Sequence, residues 1–550
     1  MVLKYIPKSV LWFGLLLVLL IPTISSLLRP GYFPMHDDMQ AMRLLQMDKC
    51  IKDGQVPCRW VPDMGYGYGY PQFNYYAPLP YYVMEVFHLA GFGFLDSVKS
   101  GFVVSVFLSA IGMFLLGKSL WGAPGGFISA LFYTYAPYRA LNMYVRGAVG
   151  EFWAMGFLPL VFWSTREVMA GKRYGILGLA LSLGGLFTSH NITALIFVPI
   201  LFAWVIFLLL NGNKNRVKDI ILGIVWGVSI SAFFILPAWF EKGFAHIETL
   251  TQGYFGFQAH FVNLSQLLFS TFWGYGSSEL GPYDGISLAV GLLHWIFPLL
   301  AFGLLWYLKK KKFRLVAFFV IVGWISLFFA HQRSALIWSN ISILAFLQFP
   351  WRFLTLATFS FSTAAGAISI LFSKKHNFIY AFAILPVLLL FYASYFQPRT
   401  WLTITDEDKF RGDSWEKQLT ISIFDYLPIY AKYPPDQKAP EEPTIIEGDG
   451  KVISGEKGTN WQMWKVDILS SEAMVRFPLY DFPGFRAWID GKQTFVDHNN
   501  ELGLITIKVP KGEHEILARL TDTPVRKIGN ILSFAGLVAV PAFLIRKKKR

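Results

Sequence analysis

Apolar runs of membrane-crossing length recur along most of this chain, and short basic clusters separate them. That pattern constrains the fold more than any motif does. A bilayer core offers no water to satisfy backbone groups, so each crossing must be a helix of roughly 20 apolar residues. Runs at 10–28, 100–117, 124–137, 149–165, 175–189, 192–210, 220–238, 287–308, 315–330, 353–372, 378–394 and 526–545 suit this, some of them short, giving about 12 spans. The basic markers are Lys118, REVMAGKR at Arg166 to Arg173, NKNRVK at Asn213 to Lys218, KKKKFR at Lys309 to Arg314, Lys374 with Lys375, and the terminal RKKKR. Basic loops stay on the cytoplasmic side, so both ends are expected inside. The net charge of +14 therefore reports topology and excludes a nucleic-acid partner as its cause. Only 15% of the chain is charged, against about a quarter in soluble domains.

Lys4, Lys8 and the run from Val10 to Leu28 have the look of a signal peptide, but no small-x-small cleavage site follows. An uncleaved first helix is expected. PLPYYVMEVFHLAGFGF, from Pro78, would break the charge parity as a span and reads as a re-entrant or interfacial helix. The expected domains are a transmembrane unit over 1–394 with a long external loop at 29–99, an external β-rich unit over 395–525, and a final helix with a basic tail over 526–550. In the β-rich unit FPLYDFPGFRAWIDGKQTFV, GLITIKVPKG and HEILARL alternate apolar and polar residues, with Asp490-Gly491 and Lys511-Gly512 as turn signals. That predicts antiparallel hairpins in a small β-sandwich. Trp461, Trp464, Phe485 and Trp488 offer sugar-stacking faces there, with core packing the commoner role. Cys50 and Cys58, the only two cysteines, pair or stay free according to the compartment of their loop.

The external side gathers the residues that could carry chemistry. GYFPMHDDMQAMRLLQ sets His36, Asp37 and Asp38 side by side at a chain exit. One reading is helix capping. The other is a general base, Asp37 or Asp38 with His36 beside it, taking a proton from an acceptor hydroxyl. His36 with Asp38 could also hold a divalent cation, Mg or Mn, against a phosphate leaving group. Arg139 and Arg146 in APYRALNMYVRGAVGE, with Glu151 after them, pair among themselves or grip a phosphate. His190 in LFTSHNITAL and Gln348 with Arg352 in LQFPWRFL are further substrate-binding candidates at helix ends. GYGYGYPQFNYYAPLPYY, from Gly65, reads as a packed aromatic loop lining a groove.

HDDMQAMRLL, DGQVPCRWVPDMGYGYGYPQFNYYAPLPYY, LFYTYAPYRALNMYVRGAVGEFWAMGFLPLVF and LFTSHNITALI, in that order over roughly residues 30 to 200, resemble the 6-pyruvoyl-tetrahydropterin synthase-related membrane-protein family. The soluble zinc enzymes behind that label have a histidine pattern this chain lacks. In architecture, helped by QFPWRFL and DFPGFRAWIDGK, the chain resembles the GT-C superfamily of membrane glycosyltransferases. The resemblance implies an all-α polytopic membrane protein with an external C-terminal domain, sited in the cell membrane. It also implies transfer of a sugar from a polyprenyl-phosphate donor to a glycan or protein acceptor, with inversion, and an acidic residue at Asp37 or Asp38. The alternatives are a transporter or flippase for a lipid-linked glycan, and a non-catalytic envelope-glycan assembly protein. Convergence of His36, Asp37, Arg139, Arg146, Glu151 and His190 is what an enzyme requires.

Overall fold

The computed structural model describes residues 8–545 apart from 213, 282, 374 and 375. Lys4, Asn213, Lys374, Lys375 and the terminal RKKKR, part of the charge argument, lie outside the described residues. Among the described residues eight helices are long and apolar enough to cross a membrane: Ser9–Leu28, Phe94–Trp121, Asn191–Asn211, Lys214–Phe240, Phe313–Ala330, Pro350–Leu371, Asn377–Tyr395 and Pro524–Ile545. That is fewer than the count of about 12 spans suggested by the charges. The four other runs also fold as helices. Ala123–Thr134, Arg173–Ser189 and Leu292–Tyr307 have only 12, 17 and 16 residues. Val149–Met169 has 21 residues but carries Glu151, Arg166 and Glu167. Leu79–Leu89, with 11 residues, reaches about 16 Å and is too short to cross.

The helices pack closely where small residues meet. A Cβ on Gly117 would stand 2.9 Å from the Cα of Gly126, and one on Gly156 would press on Leu108. Such contacts let backbones approach within a bundle that gains nothing from water exclusion. The helix Gln40–Lys52 carries Gln40, Arg43 and Gln46 at threefold spacing, all buried. This polar face is the one turned to the site.

The C-terminal domain is one six-stranded antiparallel sheet, not two packed sheets. Its strands are β1 (Thr444–Glu447), β2 (Gly450–Lys457), β3 (Trp461–Tyr480), β4 (Phe485–Ile489), β5 (Lys492–Thr494) and β6 (Leu504–Leu520), in the order β1-β3-β6-β4-β5, with β2 also on β3. The missing second layer comes from the rest of the chain. Trp60, Tyr68, Tyr75, Ala245 and Leu427 share an apolar core with Val466, Phe477, Ile507 and Ile516 of the sheet. Asp490 and Gly491, with φ of 50° and 77°, make the β4–β5 turn as expected. Lys511-Gly512 makes no turn: β6 runs through it, and the register shifts there between Ile468 and Glu472 of β3. Cys50 and Cys58 form a disulfide.

The domain is tied down at a buried joint. Arg526 Nε donates to Glu241 Oε2 at 2.9 Å, with exposures of 0% and 2%. Arg526→Ala alone should destabilise the protein by about 3–5 kcal/mol, because it leaves a buried carboxylate unpaired, whereas replacing both partners by Met and Leu should cost far less. Melting midpoints in detergent of the single and double variants check this.

Candidate functional site

The residues after the first candidate span turn back onto the segment that follows the helix Pro137–Tyr144. His36 N–H donates to Val145 O at 2.9 Å and Asp37 N–H to Arg146 O at 3.0 Å. Gln40 Nε2 donates to Gly147 O at 2.8 Å. Gly147 has φ of 63°, and a Cβ there would run into Met35, so this approach needs glycine.

The capping reading fails. The helix Gln40–Lys52 has Met39 at its N-cap with no side-chain cap. Asp37 instead accepts from Arg43 Nη1 at 2.9 and 2.8 Å and from Gln40 Nε2 at 3.0 Å. Tyr76 lies 3.4 Å away through its hydroxyl, and its ring sits under the Arg43 guanidinium at 4.3 Å. The Asp37 side chain keeps 34% exposure while Arg43 has 4%. A carboxylate gripped on one side by a buried guanidinium and open on the other can accept a proton from an incoming hydroxyl.

Asp38 points elsewhere. Its Oδ2 accepts from Lys409 Nζ at 2.7 Å. Burial pushes its carboxyl up from the ordinary range, and Lys409 pulls it back. His36 is exposed and its Nε2 lies 2.9 Å from Tyr275 O, at the rim of a cavity of about 680 Å³ between Phe272–Gly276 and Gln397–Arg399. Lys409 thus occupies Asp38 Oδ2 and Tyr275 O faces His36 Nε2, while Asp38 Oδ1 is buried without a partner. No three His, Cys, Asp or Glu among the described residues gather so as to hold a metal ion.

Beside Asp37 stands the second half of the cluster. Glu151, 1% exposed, accepts from Arg146 at 2.7 Å, Tyr138 Oη at 2.6 Å and Thr355 Oγ1 at 2.7 Å. Arg146 lies over the Trp351 ring at 4.3 Å. Arg352 donates to Leu347 O at 2.7 Å and to Gln348 Oε1 at 3.1 Å, and its Nε is buried without a partner. His190 caps the next helix, its Nδ1 accepting from Thr193 N–H at 3.1 Å. Burial and Arg352, then Arg146, push its imidazole down to about 3 against the pull of Glu151, so it is neutral. Glu151 is thus paired with Arg146, while Arg352 acts on it only through space and has no carboxylate partner of its own.

Arg139 does not join them. It is 1% exposed, lies over Tyr133 and Phe152 at 5.0 and 4.4 Å, and burial lowers it to about 10. The predicted set therefore splits. Asp37, Arg146, Glu151, His190, Gln348 and Arg352 come together, while Arg139, Asp38 and the His36 ring turn away. Sequence reasoning missed Gln40, Arg43, Tyr76, Tyr138 and Thr355; the threefold spacing after Asp37 was the signal for the first two. It also missed Asp425, which burial raises to about 6 although Arg43 and the Ser422 hydrogen bond lower it; Asp37 adds to the rise.

Residues 73–297 match the family described as 6-pyruvoyl-tetrahydropterin synthase related domain, a membrane protein. The chain is 25% identical over 327 residues to an uncharacterized protein of Lactococcus lactis subsp. cremoris (strain MG1363), over 56% of this chain and 49% of that one. Among solved structures it is similar to ArnT from Cupriavidus metallidurans bound to undecaprenyl phosphate, at 12% identity and a TM-score of 0.41 over 69% of this chain and 63% of that one. It is also similar to the Archaeoglobus fulgidus oligosaccharyltransferase in the apo form, at 12% identity and a TM-score of 0.46 over 78% and 60%. The chain spans about half the length of the curated relative and under two thirds of either solved protein.

The neutral state of His190 gives a signed pH effect. Above its ordinary value of 6.5 the folded and unfolded chains both hold it neutral. As pH falls from 6.5 toward 3 the unfolded chain binds a proton that the folded one rejects, so stability drops. His190→Gln should lose less thermal stability than the wild type between pH 7 and pH 4.5, and parallel melting curves would count against this burial.

Proposed function

We propose that the protein is an integral membrane glycosyltransferase that moves a sugar from a polyprenyl-phosphate donor to an acceptor on the external face. The observation that supports this best is the part-exposed carboxylate of Asp37, fixed by Arg43 and Gln40 beside Arg146, Glu151 and Arg352. The outside position agrees with the basic loops and with the Cys50–Cys58 disulfide on the same segment, since disulfides persist in oxidising compartments.

In this scheme the acceptor O–H proton goes to Asp37 while the acceptor oxygen bonds to the anomeric carbon. The bond from that carbon to the phosphate oxygen breaks, and polyprenyl phosphate leaves with the electron pair. Attack opposite the leaving group inverts the anomeric centre. Arg146 and Arg352 offset the charge developing on the phosphate, in a place where burial makes that attraction strong. Glu151 holds Arg146 in position and touches no substrate. Residues 1–394 form the transferase unit in this reading, and the segment of Lys409 and Asp425 closes over the cluster.

Transport is the weaker alternative. A carrier needs ionisable groups near the middle of its spans, whereas Glu151, Arg352, Glu241 and Arg526 all sit within a few residues of a helix end. The test is transfer from a radiolabelled polyprenyl-phosphate sugar pool by the purified protein in lipid. Asp37→Asn should lower turnover by 10²–10⁴-fold, the usual worth of a general base, while Asp38→Asn should keep most of it. Equal turnover in Asp37→Asn and wild type would remove Asp37 from the chemistry.

A further inference from the structure

A second feature lies at the other end of the helix Gln40–Lys52. A cavity of about 220 Å³ opens where the GYGYGYP segment meets the sheet, and three indoles line it: Trp60, Trp415 and Trp461. Asp63, on its wall, accepts from Gln46 Nε2 at 2.7 Å and Lys49 Nζ at 2.5 Å of that helix. The Trp60 indole N–H is buried without a hydrogen-bond partner. It faces Gly69, where φ is 85° and a Cβ would collide with the indole nitrogen. Gly67, with φ of 86°, keeps the opposite wall clear beside Ala439. The glycines between the tyrosines thus have a role that the Asp37 cluster does not explain.

The charges on the walls select the ligand. Asp63, Lys438, Glu441 and Lys457 cancel one another, and Lys457 lies 3.1 Å from Glu441. A phosphate or a polyanion would find no surplus of positive charge. A wholly apolar guest would leave the Trp60 N–H and the ion pairs unserved at cost. A sugar ring has apolar C–H faces for indoles and hydroxyls for polar rims. We infer that this cavity binds one neutral sugar residue of a glycan against Trp415 and Trp461. From Gln40 to Gln46 the helix rises about 9 Å, which makes the cavity a remote subsite for a glycan acceptor. That role rests on the transferase reading; the binding does not.

The experiment applies the full-length protein in lipid nanodiscs to a printed array of neutral, amino and anionic glycans. Wild type should bind a set of neutral glycans. Trp415→Ala should weaken that binding at least tenfold. So should Ala439→Trp, which fills the cavity and keeps every indole should Trp415→Ala misfold. Binding confined to anionic glycans, or neutral binding unchanged in a folded Ala439→Trp variant, overturns the inference, as does no neutral glycan bound by wild type. Glycan binding without sugar transfer by wild type would count against the transferase reading alone.

Discussion

A carboxylate with 1% exposure, Glu151, is the point on which the site depends. An ion so deeply buried persists only when every oxygen is served. Arg146, Tyr138 and Thr355 serve it, and they come from two separated stretches of chain. Holding Arg146 in place also fixes the backbone that receives Asp37 and, through Gly147, the one that receives Gln40. The opening HDD motif is therefore positioned by a pair more than a hundred residues along the chain, and its meaning comes from that contact.

A second constraint acts at the sheet. Its apolar face is covered by Trp60, Tyr68 and Tyr75 from the first long loop and by Leu427. The C-terminal domain is in this way a lid built onto the loop. Lys409, on the segment before the sheet, pairs with Asp38, so two adjacent aspartates have different partners, Arg43 for Asp37 and Lys409 for Asp38.

Much of this was legible in the sequence, for identifiable reasons. Apolar length and basic clusters reveal crossings because the bilayer imposes both. The same logic also marks Val149–Met169 and three shorter helices, which fold as apolar helices but fall short of the length or hydropathy of the other eight. The gathering of Asp37, Arg146, Glu151, His190 and Arg352 could be expected, because all lie at helix ends on the side without basic clusters. What the sequence hid was orientation. Arg139 and Arg146 are seven positions apart near one short helix, yet one faces Phe152 and the other Glu151. Asp425 carries no local signal, because its raised carboxyl comes from burial and from charges brought by distant segments. The expected sandwich became one sheet because its second layer comes from residues near 60–75 and 427, and strand periodicity cannot show that.

The central claim is that Arg146 and Arg352 hold a lipid phosphate beside Asp37. Equilibrium binding of polyprenyl phosphate to the purified protein tests it most directly, with wild type, Arg352→Gln and Asp37→Asn compared in one detergent. The account predicts saturable binding that Arg352→Gln weakens at least tenfold and Asp37→Asn leaves nearly unchanged. Binding equal in wild type and Arg352→Gln, or absent from folded wild type, would contradict it.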